Sequence, residues 1–254
     1  MHRLPLSVLV PCGNNQDIIE DCLKSVRWAD EVVVCDSFSS DDTCIIARRY
    51  ADRVLQHEYH NSATQKNWAI PQVSHEWLLI VDTDERVTPE LREEIESILA
   101  NPRGHEGFRI PRANYLFGRR LRHGDNWPDY QIRLFRRDLG RYELREVHAH
   151  VLLDGPCGTI ENPLLHFPHR SLRNLERVML RRYTTWEAQE KYNRGIRFHW
   201  HQPLVRPAGA FVHRYVVQSG FRDGWQGLLM AAIWGCYVLI TYLKLRTLQR
   251  SGQP

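Results

Sequence analysis

The sequence predicts an α/β fold in which a mostly parallel sheet is flanked by helices. Three observations predict it. Short apolar runs and amphipathic stretches alternate through the first hundred residues. The runs are almost wholly apolar, as strands covered on both faces must be. Two of them stop at an aspartate, Asp36 and Asp82, and ligands of such sheets bind beyond the carboxyl ends of the strands.

Taken in order, Leu6 to Pro11 reads as a buried strand. Asp17 to Val26 follows as a helix whose Ile18, Ile19, Cys22, Leu23 and Val26 share a face. Glu31 to Cys35 is a second strand, ending at Asp36. In the Ser/Asp cluster after it, Ser40 or Asp41 is placed to cap a helix running to Tyr50. Val54 and Leu55 mark a third strand, Ala63 to Ile70 a short helix, and Trp77 to Val81 a fourth strand that stops at Asp82. Pro89 suits the first turn of a helix whose stripe is Leu91, Ile95, Ile98 and Leu99. Beyond residue 104 the pattern shifts to shorter strands joined by turns rich in Gly, Asp, Asn and Pro: Phe108 to Pro111, Asn114 to Phe117, Gln131 to Phe135 and Val147 to Leu153. A helix begins at Ser171, apolar at Leu172, Leu175, Val178 and Met179 and basic at Arg173, Arg177, Arg181 and Arg182.

The 254 residues, 43% of them hydrophobic, suit one large domain with a tail. The reading divides them into a catalytic domain, 1–170, and a C-terminal helical region, 171–254. A net charge of +4 is too mild to indicate nucleic acid. The six cysteines form no CxxC pair, which points to thiols in a reducing compartment rather than a zinc site or disulfides. The N-terminus lacks a signal-peptide core, so a cytoplasmic location is expected. From Trp225 to Leu243 nearly every residue is apolar or small, with Arg214 and Arg222 before and Lys244, Arg246 and Arg250 after. That stretch is expected to lie in or dip into a membrane face; a buried core helix and a full span are the alternatives.

The chemistry concentrates in Val81-Asp82-Thr83-Asp84-Glu85. Two carboxylates two residues apart at a strand end can share a hard divalent cation such as Mg²⁺ or Mn²⁺, which keeps room for substrate phosphates. The other acidic strand end, Asp36, is placed to accept hydrogen bonds from a nucleotide base or ribose.

With Val32 to Thr43, Gln65-Lys66-Asn67-Trp68-Ala69 and Trp77 to Leu91, the chain resembles the inverting glycosyltransferases of family 2, with the GT-A nucleotide-sugar fold. The match extends through Arg109 to Tyr115, Arg122-His123-Gly124, Trp127 to Arg137, Val147-His148 and Leu164-Leu165-His166. It is most similar to the subgroup of lipopolysaccharide-core β-glucosyltransferases. The resemblance implies a UDP-hexose donor, a lipopolysaccharide-core or other lipid-linked acceptor, and work at the cytoplasmic face of the inner membrane. It implies donor contacts from Pro11, Asp36, Lys66, Asp82 and Arg133. Asp84 would ligate the cation, with His148 as a further ligand or an acceptor contact. A single displacement needs a carboxylate near the attacking hydroxyl; Asp129 is the expected base, with Asp125 and Glu146 as alternatives. Arg133 and Arg136 fall on opposite strand faces, so one of them serves the diphosphate. The sequence departs from the family pattern twice. Cys12 to Asp17 lacks the usual Asn-Glu segment, and Ala149 stands where an acid often follows Val-His. A transferase acting on a polyprenyl phosphate and a catalytically silent nucleotide-sugar-binding protein are the competing readings.

Overall fold

The computed structural model describes residues 3–144, 150–169 and 171–251. It divides into two compact units, Met1–Arg112 with Asp129–His166, and Ala113–Pro128 with Phe167–Pro254.

The first unit is built on β1 (Leu6–Cys12), β2 (Glu31–Asp36), β3 (Arg53–Gln56) and β4 (Trp77–Ile80), followed by β5 (Glu85–Arg86) and β6 (Gly107–Leu116). After β7 (Arg119–Arg120) come β8 (Asp129–Arg136), β9 (Gly140–Tyr142), β10 (Val151–Leu153), β11 (Cys157–Thr159) and β12 (Leu164–His169). The main sheet runs β3-β2-β1-β4-β8-β6-β12-β5, with β11 beside β6. Strands β1 to β4 are parallel, and β8 pairs antiparallel with both β4 and β6. Every residue of β1, β2 and β4 is buried, which is why their sequences are apolar runs rather than alternations. The strand order reverses at β1, so the carboxyl ends of β1, β2 and β4 open onto one crevice.

Helices cover this sheet as the periodicity predicts. In α1 (Ile19–Val26) the buried residues are Ile19, Cys22, Leu23 and Val26. α3 (Ser62–Ala69) starts at a reciprocal cap between Asn61 and Thr64, and α4 (Pro89–Ala100) at a Thr88 cap followed by Pro89. Two expectations shift. α2 (Thr43–Ala47) is a single short piece that starts after Asp42 with no side-chain cap bond from that residue, and its continuation to Tyr50 consists of tight turn bonds such as Arg49 N–H to the Ile46 carbonyl. Asp41 instead holds Thr43 through its side chain. The strands expected at Phe108 to Pro111 and Asn114 to Phe117 are one ten-residue strand, β6, with a register shift at Phe108/Arg109. Pro111 stands mid-strand within this run, so it does not divide the strand in two. Gly140 is required where it is, because a Cβ there would collide with the Phe135 ring.

The second unit has its own core: Leu116 and Leu121 with Leu175, Met179, Met230, Ile233 and Tyr237. Its helices are α5 (Leu172–Leu175), which widens into π-type turns over Glu176–Tyr183 and continues as α6 (Thr184–Asn193), then α7 (Gln202–Val212) and α8 (Gly224–Ser251). The sequence reading placed 113–128 inside the first domain; these residues group with the second unit instead. The physical reason is twofold. Leu116 and Leu121 bury against α5 and α8. The buried Asp223 carboxylate accepts from the Arg122 and His123 N–H groups at 2.9 and 2.8 Å and meets His123 Nδ1 at 2.9 Å. α8 extends beyond the predicted apolar stretch, and one face of it is packed: Met230, Ala231, Ile233, Tyr237, Thr241, Tyr242 and Leu245 are all buried. The cysteines of the first unit are free thiols, Cys12, Cys22 and Cys35 buried, Cys44 partly so and Cys157 exposed.

Candidate active site

The loops after β1 and β2 are laced together by the residues that depart from the family pattern. Asn14 Oδ1 accepts from Ser40 N–H at 2.9 Å, Gln16 Oε1 from Asp42 N–H at 3.0 Å, and Thr43 Oγ1 from Asn15 N–H at 2.7 Å. Amides and hydroxyls, with the Asp41 carboxylate, which accepts from Gln16 N–H at 3.2 Å, thus satisfy the backbone of both loops. Asp36, at the root of the second loop, is 0% exposed. Its oxygens accept from Ser39 N–H at 2.9 Å, the Ser39 hydroxyl and Gln56 Nε2 at 3.3 Å. Burial works to raise the Asp36 pKa, but these donors outweigh it and hold the carboxyl below the usual range. With no exposed surface, the Asp36 carboxylate anchors the loop that follows β2. Pro11 is buried near the end of β1, paired with Cys35.

At the end of β4 the arrangement is different. Lys66 Nζ, from α3, is 2.8 Å from Asp82 Oδ1, and Arg133 Nη2, from β8, is 2.6 Å from Asp82 Oδ2. Both cations are buried. Arg133 also reaches Glu85 Oε1 at 2.5 Å, and Arg112 lies 3.7 Å from the same oxygen. Tyr142 completes this wall: its ring centroid is 4.9 Å from Lys66 Nζ, and Asn67 holds its backbone from both sides. Burial alone would raise the Asp82 pKa, yet Arg133 and Lys66 overcome it and hold the carboxyl far below the usual range. At Glu85, which is fully buried, burial wins over Arg133 and the carboxyl stands above the usual range. Strand alternation separates the two arginines as expected, since Arg136 meets Glu76 and Glu106 instead.

Asp84 is 31% exposed, about as much as Asp82, but neither Lys66 nor Arg133 is paired with it; His166 Nε2 stands 3.6 Å from its Oδ2. That separation is longer than a hydrogen bond. Burial opposes ionisation of Asp84, but the adjacent imidazole leads the influences that lower its pKa. Asp129, at the start of β8, is bound through Oδ2 by Arg112 at 2.7 and 3.0 Å, and its Oδ1 accepts from Gln131 at 2.9 Å. Asp125 belongs to the second unit, near His213 and Arg214. His148, Glu146 and Ala149 lie outside the described residues. Among the described residues no group of three or more His, Cys, Asp or Glu side chains is arranged to hold a metal ion.

The structure therefore gathers Lys66, Asp82, Asp84, Asp129 and Arg133 at one edge of the sheet. It adds four residues to which the sequence reading gave no role: Glu85, Arg112, Tyr142 and His166. Glu85, Arg112 and His166 carried a local signal, since each stands inside a matched motif. Tyr142 carried none, because its role exists only through the docking of β9 on α3.

The sequence profile of glycosyl transferase family 2 matches residues 7–152. A lipopolysaccharide core biosynthesis glycosyltransferase, LpsC, of Rhizobium meliloti (strain 1021) is 30% identical over 251 residues, 96% of this chain and 92% of the relative. An uncharacterized glycosyltransferase of Rickettsia bellii is 36% identical over 97 residues, 38% of this chain and 33% of that protein. Among solved structures, S. aureus TarS 1-349 is similar at a TM-score of 0.49 and 15% identity, over 98% of this chain and 92% of that one. Glucosyl-3-phosphoglycerate synthase of Mycobacterium tuberculosis, in complex with Mn²⁺, UDP and glucosyl-3-phosphoglycerate, is similar at a TM-score of 0.38 and 21% identity, over 44% of each chain.

Proposed function

This chain belongs to glycosyl transferase family 2, and on that premise we propose that it is an inverting enzyme transferring a hexose from UDP to a lipopolysaccharide-core or other lipid-linked glycan. The observation that carries the reading is the cluster at the end of β4. Lys66 and Arg133 saturate Asp82, and Asp84 stands open beside an imidazole. The name of the Rhizobium relative supports the acceptor class.

The donor set fits a divalent cation. Four carboxylates, Asp82, Asp84, Glu85 and Asp129, face three permanent cations, Lys66, Arg112 and Arg133, so the cluster has room for positive charge. Asp84 and His166 are the groups that would hold it, and few protein ligands suffice where substrate phosphates complete the shell. Such an ion supplies neutralisation of the departing diphosphate. Lys66 and Arg133 hold Asp82 fixed and bring two further positive charges to the same edge. Asp36 acts on the donor through the loop it anchors. Asp129 is the base: the acceptor hydroxyl attacks the anomeric carbon, the bond from that carbon to the diphosphate oxygen breaks, and the hydroxyl proton passes to Asp129. Arg112 and Gln131 orient that carboxylate, and the inverted configuration follows from a single displacement. The enzyme works at the cytoplasmic face of the inner membrane. A polyprenyl-phosphate transferase of the kind weighed above would be expected to carry several spans; the described residues contain one helix long and apolar enough to cross a membrane.

The test is calorimetric titration of the purified protein with UDP-hexoses, with and without Mn²⁺. Metal-dependent binding that Asp84→Ala removes is the expected result. Binding to no UDP-sugar would overturn the donor assignment, and full metal-dependent binding by the variant would overturn the ligand assignment.

A further inference from the structure

The charge of this protein is divided unevenly. After Glu190 the only acidic residue is Asp223, and that one is buried and spent on His123 and the Arg122 N–H. Residues 191–254 contain nine Lys or Arg and so carry a net +8, where the whole chain carries +4. The rest of the chain is therefore acidic on balance, and the exposed surface of this final segment presents no carboxylate side chain.

An apolar surface coincides with it. α7 continues through π-type turns over His213–Val217. Along this rod and the turn after it Leu204, Val205, Val212, Val216, Val217 and Phe221 are 48% to 67% exposed. Leu204, Ala208, Val212 and Val216 recur every four residues, so the exposure is one helical face and not a scatter of single side chains. The opposite face is seated on α8. A Cβ at Gly235 would stand 3.3 Å from the Pro207 carbonyl and 3.7 Å from Phe211, so the glycine lets the two backbones approach. Arg206 and Arg214 fold back over the rings of Tyr242 and Trp234, at 5.2 and 4.1 Å, which leaves the apolar face clear while keeping positive charge at its border.

We propose that this face of α7, with the turn through Phe221, is a monotopic docking surface for an anionic lipid bilayer, and that α8 is its buttress rather than a membrane span. An apolar helical face bordered by cations matches a negatively charged headgroup layer, and Asp125, a carboxylate at that border, is paired with His213 and Arg214 at 3.7 and 3.8 Å: the apolar side chains enter the acyl boundary and the cations meet the phosphates. The packing of α8 argues against a lone span, because one face of it, with Met230, Ala231, Ile233, Tyr237, Tyr242 and Leu245, is buried within its own unit. The inference extends the reading of a lipid-linked acceptor, yet the vesicle binding that tests it needs neither donor nor acceptor.

The experiment is co-sedimentation of the full-length protein with vesicles of phosphatidylglycerol mixed into phosphatidylcholine, against phosphatidylcholine alone, in low and high salt. Wild type is expected to bind the anionic vesicles, to lose about tenfold or more in affinity without phosphatidylglycerol or in high salt, and to be released by alkaline carbonate. Val212→Glu and Val216→Glu, exposed positions that should not disturb folding, are each expected to weaken binding about tenfold or more while UDP-hexose titration is unchanged. Three outcomes overturn the proposal: binding of the variants equal to wild type, retention of wild type through the carbonate wash, and a wild-type dimer that ignores vesicles but is dissociated by Val212→Glu. The last assigns the face to a second copy of the chain.

Discussion

Asp36 and Asp82 end neighbouring parts of one parallel sheet, on either side of β1, and both carboxyls are held below their usual pKa range. Their surroundings differ. Asp36 is sealed and receives hydrogen bonds from uncharged donors, whereas Asp82 keeps 30% of its side chain exposed and is held by two buried cations. An acid at a strand end is thus put in place by topology, while its task is set by what reaches it from elsewhere in the chain. The first anchors a loop through hydrogen bonds; the second is the hub of a charged cluster that leaves its neighbour Asp84 open to a ligand.

The largest effect is expected from Asp82→Ala. It strands Lys66 and removes half of the Arg133 pairing, at a cost of about 3–5 kcal/mol in folding stability by denaturant titration. A loss under about 1 kcal/mol would make the two strand ends equivalent. Asp84→Ala is expected to reduce turnover by about 10²–10³-fold, the range for losing one electrostatic stabiliser of a transition state, while the unfolding midpoint barely moves. A parallel fall in stability would assign Asp84 to the scaffold. Asp36→Ala leaves uncharged donors unmet and is expected to cost about 1–3 kcal/mol of stability, with a raised donor KM and a retained kcat. A collapse of kcat with KM unchanged would mean that Asp36 touches the reacting groups.

The smallest effect separates position from chemistry. Glu31 sits at the opposite, amino end of β2, buried, and accepts from Ser7, from Ser74 at 2.7 Å and from Arg53 at 3.2 Å. Burial favours the protonated acid, but these donors prevail and depress its pKa. A carboxyl with a folded pKa below its unfolded value of about 4.3 stabilises the fold above that value and loses the contribution as pH falls through the folded pKa. Glu31→Gln should therefore flatten the acid limb of the stability curve by about 1 kcal/mol between pH 6 and pH 3, with activity at neutral pH retained. An unchanged acid limb would remove Glu31 from the set of depressed carboxyls.

The nearest-neighbour pattern carried much of this structure. β1, β2, β4 and helices α1 and α4 follow from runs and periods of a few residues, because burial on both faces leaves no room for polar side chains near the middle of those strands and one apolar stripe suffices for each helix. The strand-end aspartates were legible for the same reason. α2 was overextended, since a helical pattern of residues does not reveal where the backbone tightens into turns. α7 was not read at all, because an apolar stripe without an identified partner resembles an irregular segment.

From the sequence alone came the α/β fold, the family resemblance and the acidic strand ends, each a property of residues close together in the chain. Tertiary structure alone decided that Asp36 is sealed, that Lys66 and Arg133 converge on Asp82, that His166 stands beside Asp84, and that 113–128 joins the second unit. Those relations join residues tens of positions apart, and their energies arise from desolvation and pairing that exist only once the strands between them have been ordered.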